Sequence, residues 1–133
     1  LTQHGIEEKR SFAMPSNPDR QGEENLQACV EQLNGWATAF VCDADFRAVT
    51  LCHAIAGMGK TIPDDFSVVG VGNTPWCETC RPTLTSVSLG ENEMAALAVQ
   101  LCNLPFPDHP VVYHVQPRMV LRQSSRPRAP SGT

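Results

Sequence analysis

The chain has no apolar run approaching the roughly 20 residues that a membrane helix requires. Its first positions, Leu1 to Arg10, are polar and charged where a secretory signal would need an apolar core. Aromatic residues are scarce at 6%, and charged residues reach only 18%. Clustered positive charge is also lacking: 10 Lys and Arg against 14 Asp and Glu leave a net charge of −4. Phosphate contacts need dense Lys and Arg, so no nucleic-acid surface is expected within this stretch. Arg118, Arg122, Arg126 and Arg128 are the local exception, and they read as a strand end running into a solvated tail. Nothing calls for a cofactor or a membrane partner. A G-x-S-x-G nucleophile turn is missing, as is a Cys/His pair in a catalytic context, so an enzyme is not expected.

What is present fits one domain, since 133 residues suffice for a core and fall short of two ordinary domains. Leu1 is not an initiator methionine, and the natural N-terminus is expected upstream. Six cysteines (Cys29, Cys42, Cys52, Cys77, Cys80, Cys102) could belong to a secreted disulfide framework. Most of them fall on apolar faces, so buried thiols of a cytoplasmic protein are the simpler reading.

The order of patterns is strand, helix, strand, helix, strand, loop, strand, helix, strand. Lys9 to Met14 reads as a short strand, ended by the turn residues Pro15 to Asp19. A helix follows from about Gln21 to Leu33, with Leu26, Cys29, Val30 and Leu33 on one stripe, stopped by Asn34-Gly35. Thr38 to Cys42 reads as a strand buried on both faces. The next helix runs from about Asp45 to Met58, with Val49, Cys52, Ile55 and Ala56 inward. Ser67 to Val71 is a second buried strand, and Leu84 to Val87 a third. A helix over Glu91 to Cys102 carries the stripe Met94, Leu97, Ala98 and Leu101. Val111 to Leu121 reads as one long strand or two short ones. Residues 1–124 form the folded unit, and 125–133 are expected to be a disordered tail.

Strands alternating with helices imply an α/β fold, a parallel sheet with helices on both faces. Ligands of such sheets collect beyond the carboxyl ends of the strands. That rim is built here from Pro15 to Asp19, Asp43 to Phe46 and Gly72 to Trp76.

Four stretches carry a family resemblance: Thr38-Ala39-Phe40-Val41-Cys42-Asp43-Ala44-Asp45-Phe46-Arg47-Ala48, then Gly59-Lys60-Thr61-Ile62-Pro63-Asp64-Asp65-Phe66-Ser67-Val68-Val69-Gly70, then Arg81-Pro82-Thr83-Leu84-Thr85-Ser86-Val87, and Pro117 to Ser124. In this order and spacing the chain resembles the LacI/GalR family of transcription regulators over roughly Gln21 to Ser124. The resemblance implies one lobe, the C-terminal one, of a periplasmic-binding-protein-like effector domain. It implies a small-molecule effector held between two lobes, a homodimer, and DNA reading by a domain ahead of this chain. The family often has an aromatic near position 17, Asn at 44 and Asp at 72, where this chain has Asn17, Ala44 and Gly72. A sugar-like effector would then be met by Asn17, Asp43, Asp45, Asn73 and Trp76. Carboxylates accept hydroxyl protons and an indole offers a stacking face.

The same residues admit other uses. Asp45 also reads as the N-terminal cap of its helix, and Trp76 as a packed or interface tryptophan. Trp76-Cys77-Glu78-Thr79-Cys80 has the look of a thiol-redox motif, but Arg81-Pro82 prevents the helix that such a site needs after it. A periplasmic sugar-binding protein shares the fold. Zinc, a dinucleotide at Gly70-Val71-Gly72 and a glycosidase pair of Asp43 and Asp45 each lack the spacing their chemistry demands.

Overall fold

The computed structural model of the chain describes residues 20–105 and 107–127. The strand expected at Lys9 to Met14, the turn Pro15 to Asp19 and Asn17 lie outside the described residues. Helix α1 (Arg20–Leu33) leads to strand β1 (Ala39–Val41), helix α2 (Asp45–Gly57) and strand β2 (Ser67–Val71). A short helix α3 (Trp76–Thr79), strand β3 (Thr85–Ser88), helix α4 (Glu91–Cys102) and strand β4 (Arg118–Val120) complete the order.

The sheet has the order β1-β2-β3-β4. β1 and β3 flank β2 in parallel, with Phe40 opposite Val68 and Gly70 opposite Ser86. β4 runs antiparallel to β3, Met119 opposite Val87. The α/β architecture agrees with the expected fold, and the antiparallel pairing of β4 was not expected.

α1 stops where Gly35 takes a left-handed φ of 85°, and the amides of Trp36 and Ala37 close on the Leu33 carbonyl. Its stripe packs on α2, with Leu26, Val30 and Leu33 buried and Cys29 half-buried. α2 in turn packs against β2. Its inner face is wider than the periodicity implied. Ala48, Leu51 and Ala54 are buried together with Cys52 and Ile55, Val49 is half-buried, and Ala56 faces out. Contacts with α1, β2 and α3 come from different directions, and two alanines let these neighbours approach closely. Phe66 and Phe40 meet below with ring centroids 5.4 Å apart.

Three expectations are corrected. β1 is an edge of the described sheet, and Val41 is 76% exposed, so it is not buried on both faces. The strand expected over Val111 to Leu121 contracts to Arg118–Val120, because residues ahead of it find no ladder partner among the described residues. α4 forms where its periodicity places it, yet none of its residues is buried. Helical periodicity fixes which residues share a face, and only a neighbouring element can cover that face.

The chain end straps the sheet. Ser124 is buried; its Oγ donates to the Val68 carbonyl (2.6 Å) and accepts from the Thr85 amide (2.8 Å). Bonds continue past the expected boundary at Ser124: Ser125 Oγ donates to Thr85 Oγ1 (2.8 Å), and Arg126 pairs with Asp64.

The packing difference between α2 and α4 has a measurable consequence. Ile55→Ala should destabilise the fold by about 2–5 kcal/mol, as large-to-small core changes do. Val99→Ala on α4 should stay within about 0.5 kcal/mol, as surface changes do. Urea unfolding of the two variants compares them directly.

Candidate ligand site at the carboxyl ends of the strands

Parallel pairing of β1 and β2 brings the segments that follow them side by side. Asp45 joins these two segments. It is the first residue of α2, while the cap position belongs to Ala44, whose extended backbone carries no capping side chain. The expected capping role of Asp45 is therefore corrected. Its side chain turns inward instead, leaving the residue 2% exposed. Oδ2 accepts from the Thr74 amide (2.7 Å) and Thr74 Oγ1 (2.9 Å), and Oδ1 accepts from Ser86 Oγ (2.6 Å). Burial alone would raise this carboxyl's pKa. The bonds from Ser86, Thr74 and Cys77 outweigh burial and hold it below the ordinary carboxylate range.

The glycines next to Asp45 are there for space and for conformation. A Cβ on Gly70 would collide with Asp45 Oδ1 and press on Leu84. Gly72 has φ 121°, which L side chains rarely adopt, and a Cβ there would lie 3.3 Å from Asp45 Oδ2.

Asn73, also left-handed at φ 49°, donates its amide N–H to Ser86 Oγ (3.0 Å). Its side-chain Oδ1 accepts from Arg122 Nη2 (2.9 Å). Arg122 reaches over from beyond β4, donates through Nη1 to the Leu84 carbonyl (2.9 Å) and lies 3.5 Å from Glu78. Its side chain is largely buried, so the expectation of a solvated tail arginine is corrected for this residue.

Two aromatic side chains are exposed at the same rim, Phe46 at 54% and Trp76 at 63%. Asp43 is exposed and accepts from Arg47 Nη1 (3.0 Å), and that guanidinium lies 5.5 Å from the Phe46 ring centre. Of the expected site residues, Asp43, Asn73 and Trp76 thus gather on the β1 and β2 exits. Asp45 sits beneath them with both oxygens occupied from within the chain. Asn17 lies outside the described residues.

Phe46 and Thr74 lie within the rim stretches that the strand order picks out, but were not among the expected ligand residues. Ser86 and Arg122 lie outside those stretches and have no such signal in one sequence, since only the fold brings them to Asp45 and Asn73.

All six cysteines are free thiols, but burial was expected too broadly. Cys42, Cys52 and Cys77 are buried, Cys29 and Cys80 half-buried, and Cys102 exposed. Burial and a bond to Asp45 push the Cys77 thiol up to about 11, and burial pushes Cys42 up to about 11 and Cys52 to about 12. A thiol held protonated in this way is a poor nucleophile. α3 ends at Thr79, so the helix that redox chemistry would need is a single turn.

A family model described as "periplasmic binding protein-like domain" matches residues 1–125. The transcriptional regulator MalR of Streptomyces coelicolor is similar, at 31% identity over 108 residues, covering 77% of this chain and 31% of that protein. Among solved structures, a LacI family transcriptional regulator from Enterococcus faecium with bound ribose superposes with a TM-score of 0.72 at 26% identity. That match covers 97% of this chain and 49% of the other. The transcription regulator CcpA of Lactococcus lactis gives 0.69 at 26% identity, covering 95% of this chain and 47% of that one. The chain therefore spans about a third of the curated relative's length and about half of these solved chains.

Two outcomes follow from the site's geometry. Asp45→Asn should cost about 2–4 kcal/mol at pH 7, because it turns an amide N–H₂ toward donors that need an acceptor. The lowered carboxyl contributes stability that is present above the ordinary carboxyl pKa of about 3.9 and lost as pH falls through its folded value. Denaturation at pH 7 and pH 3 should accordingly show a smaller acid loss in Asp45→Asn than in the parent chain. In the folded protein at pH 7, iodoacetamide should modify Cys102 well before Cys77, as read by peptide mass spectrometry. Faster labelling of Cys77 would contradict its burial.

Proposed function

Because this chain belongs to the periplasmic binding protein-like family of LacI-type regulators, we propose that it is the C-terminal lobe of an effector-sensing domain in a bacterial transcription regulator. A sugar or related small molecule binds at the rim where β1 and β2 end. The observation that carries this reading is that exposed aromatics, Phe46 and Trp76, and the polar residues Asp43 and Asn73 follow β1 and β2 on segments pinned together by Asp45. Aromatic faces stack on the apolar faces of sugar rings, while a carboxylate and a carboxamide bond the hydroxyls. A rim held by buried hydrogen bonds offers these groups in place before the ligand arrives, which lowers the cost of binding. The similar Enterococcus faecium regulator was solved with bound ribose, which supports the chemical class.

The lobe acts with parts of the protein beyond this chain. α4 has no buried residue, and Met94 and Val99 stand exposed on it, as do Leu104, Val111, Val112 and Tyr113 after it. A preceding lobe covers this surface in the intact protein and closes over the rim. DNA is read by a separate upstream domain, and two copies associate through α2 and the segment from Thr74 to Val87. Effector favours one arrangement of the lobes and so shifts the population of DNA-competent dimers. This is a binding protein of the cytoplasm, without a cofactor and without catalysis.

The full-length regulator tests this reading with the double variant Phe46→Ala, Trp76→Ala. Both side chains are exposed, so folding should be preserved. Calorimetric titration with ribose and a panel of hexoses and disaccharides should identify an effector for the parent protein. Its affinity should fall at least about tenfold in the variant, compared with the parent at the same oligomeric state. Unaltered affinity in a folded variant would place the effector elsewhere.

A further inference from the structure

The Asn73 carboxamide has two unlike faces, an oxygen that accepts and an NH₂ that donates, and which one meets the solvent decides what the rim recognises. A guanidinium has only donors. The group that lies 2.9 Å from Arg122 Nη2 is therefore the Asn73 oxygen, and the NH₂ is turned away from it. Among the described residues, nothing accepts a hydrogen bond from that NH₂. The reverse orientation would set an NH₂ against a guanidinium, donor against donor.

Neither end of this contact is free to swing. Arg122 is anchored through Nη1 on the Leu84 carbonyl, through its own amide on Thr85 Oγ1 (2.9 Å) and beside Glu78. Asn73 is anchored through its amide on Ser86 Oγ, the hydroxyl that also donates to Asp45. We propose that Arg122 is a positioning residue that presents Asn73 to the rim as a donor, so that the site prefers a ligand with an acceptor oxygen there. By this inference, which rests on the rim being the ligand site, a sugar acid is held better than an amino sugar. Of the carboxylates near the rim, Asp43 is paired with Arg47, Glu78 lies beside Arg122, and Asp45 is buried beneath with both oxygens accepting hydrogen bonds.

The test uses the nitrogen-15-labelled full-length regulator and three probes: glucuronate, glucose and glucosamine, titrated to about tens of millimolar. NMR reads two sites at once, the Asn73 side-chain NH₂ and the Trp76 indole N–H. Glucuronate should shift the Asn73 signals at roughly tenfold lower concentration than glucosamine, the size expected of one hydrogen bond made or left unmade. Asn73→Asp keeps an acceptor for Arg122, tolerates the left-handed backbone and turns an acceptor outward. In it the order of the two probes, read at Trp76, should reverse. Arg122→Lys, still only a donor, should keep the parent order. Arg122→Gln, which can offer either group, should lose it. The same order in Asn73→Asp, or equal affinities in the parent, would overturn the proposal while leaving the rim as the site. No response of Trp76 to any probe would overturn the site and the proposal together.

Discussion

Burying a carboxylate is costly unless donors surround it, and Asp45 shows what such a group can organise once they do. Its two oxygens gather donors from Thr74, beyond β2, and from Ser86, in the middle of β3. The residue itself opens α2, just after β1. One side chain thereby ties together the exits of β1 and β2 and the body of β3, segments 29 and 41 residues apart in sequence. The negative charge also lies in the first turn of α2, where the helix dipole favours it. Every feature of the rim depends on this arrangement. The exposed aromatic Phe46 follows Asp45 itself by one residue, and Trp76 follows its partner Thr74 by two, so the bond beneath them holds their two segments together.

That arrangement demands room. Gly70 leaves the space into which Asp45 Oδ1 projects, and Gly72 turns the backbone through a conformation that L side chains rarely adopt. Seen this way, the absence of the family's aspartate at position 72 is more than a missing hydrogen-bonding group. An aspartate substituted at a φ of 121° would strain the backbone and crowd Asp45, so the neighbouring Asn73 is the first position of this turn able to carry a polar side chain.

The sequence made the order and type of the main elements legible, because periodicity and turn residues act locally. Helix α4 matches its expected bounds, Glu91 to Cys102, and α1 and α2 fall within a residue of theirs. Burial was much less legible. Val41 and the α4 stripe are apolar and exposed, since what covers an apolar face is another element, and pattern alone cannot show that one is there. The candidate site divides the same way. Asp43, Asn73 and Trp76 could be placed on strand exits from the alternation of strands and helices. The inward turn of Asp45 and the reach of Arg122 across 49 residues to Asn73 are tertiary facts without a local signature.

Arg122 also changes how the chain end should be understood. Arginines near a terminus commonly mark a solvated tail, and Arg118 and Arg126 do form exposed pairs with Glu93 and Asp64. Between them, Arg122 is drawn inward because the strand preceding it runs antiparallel beside β3 and delivers the following residues to the start of β3. Ser124 then seals the strap with bonds to β2 and β3. The same short segment thus closes the sheet at Ser124 and supports the rim at Arg122. Arg122 thereby links the position of β4 to the Asn73 side chain.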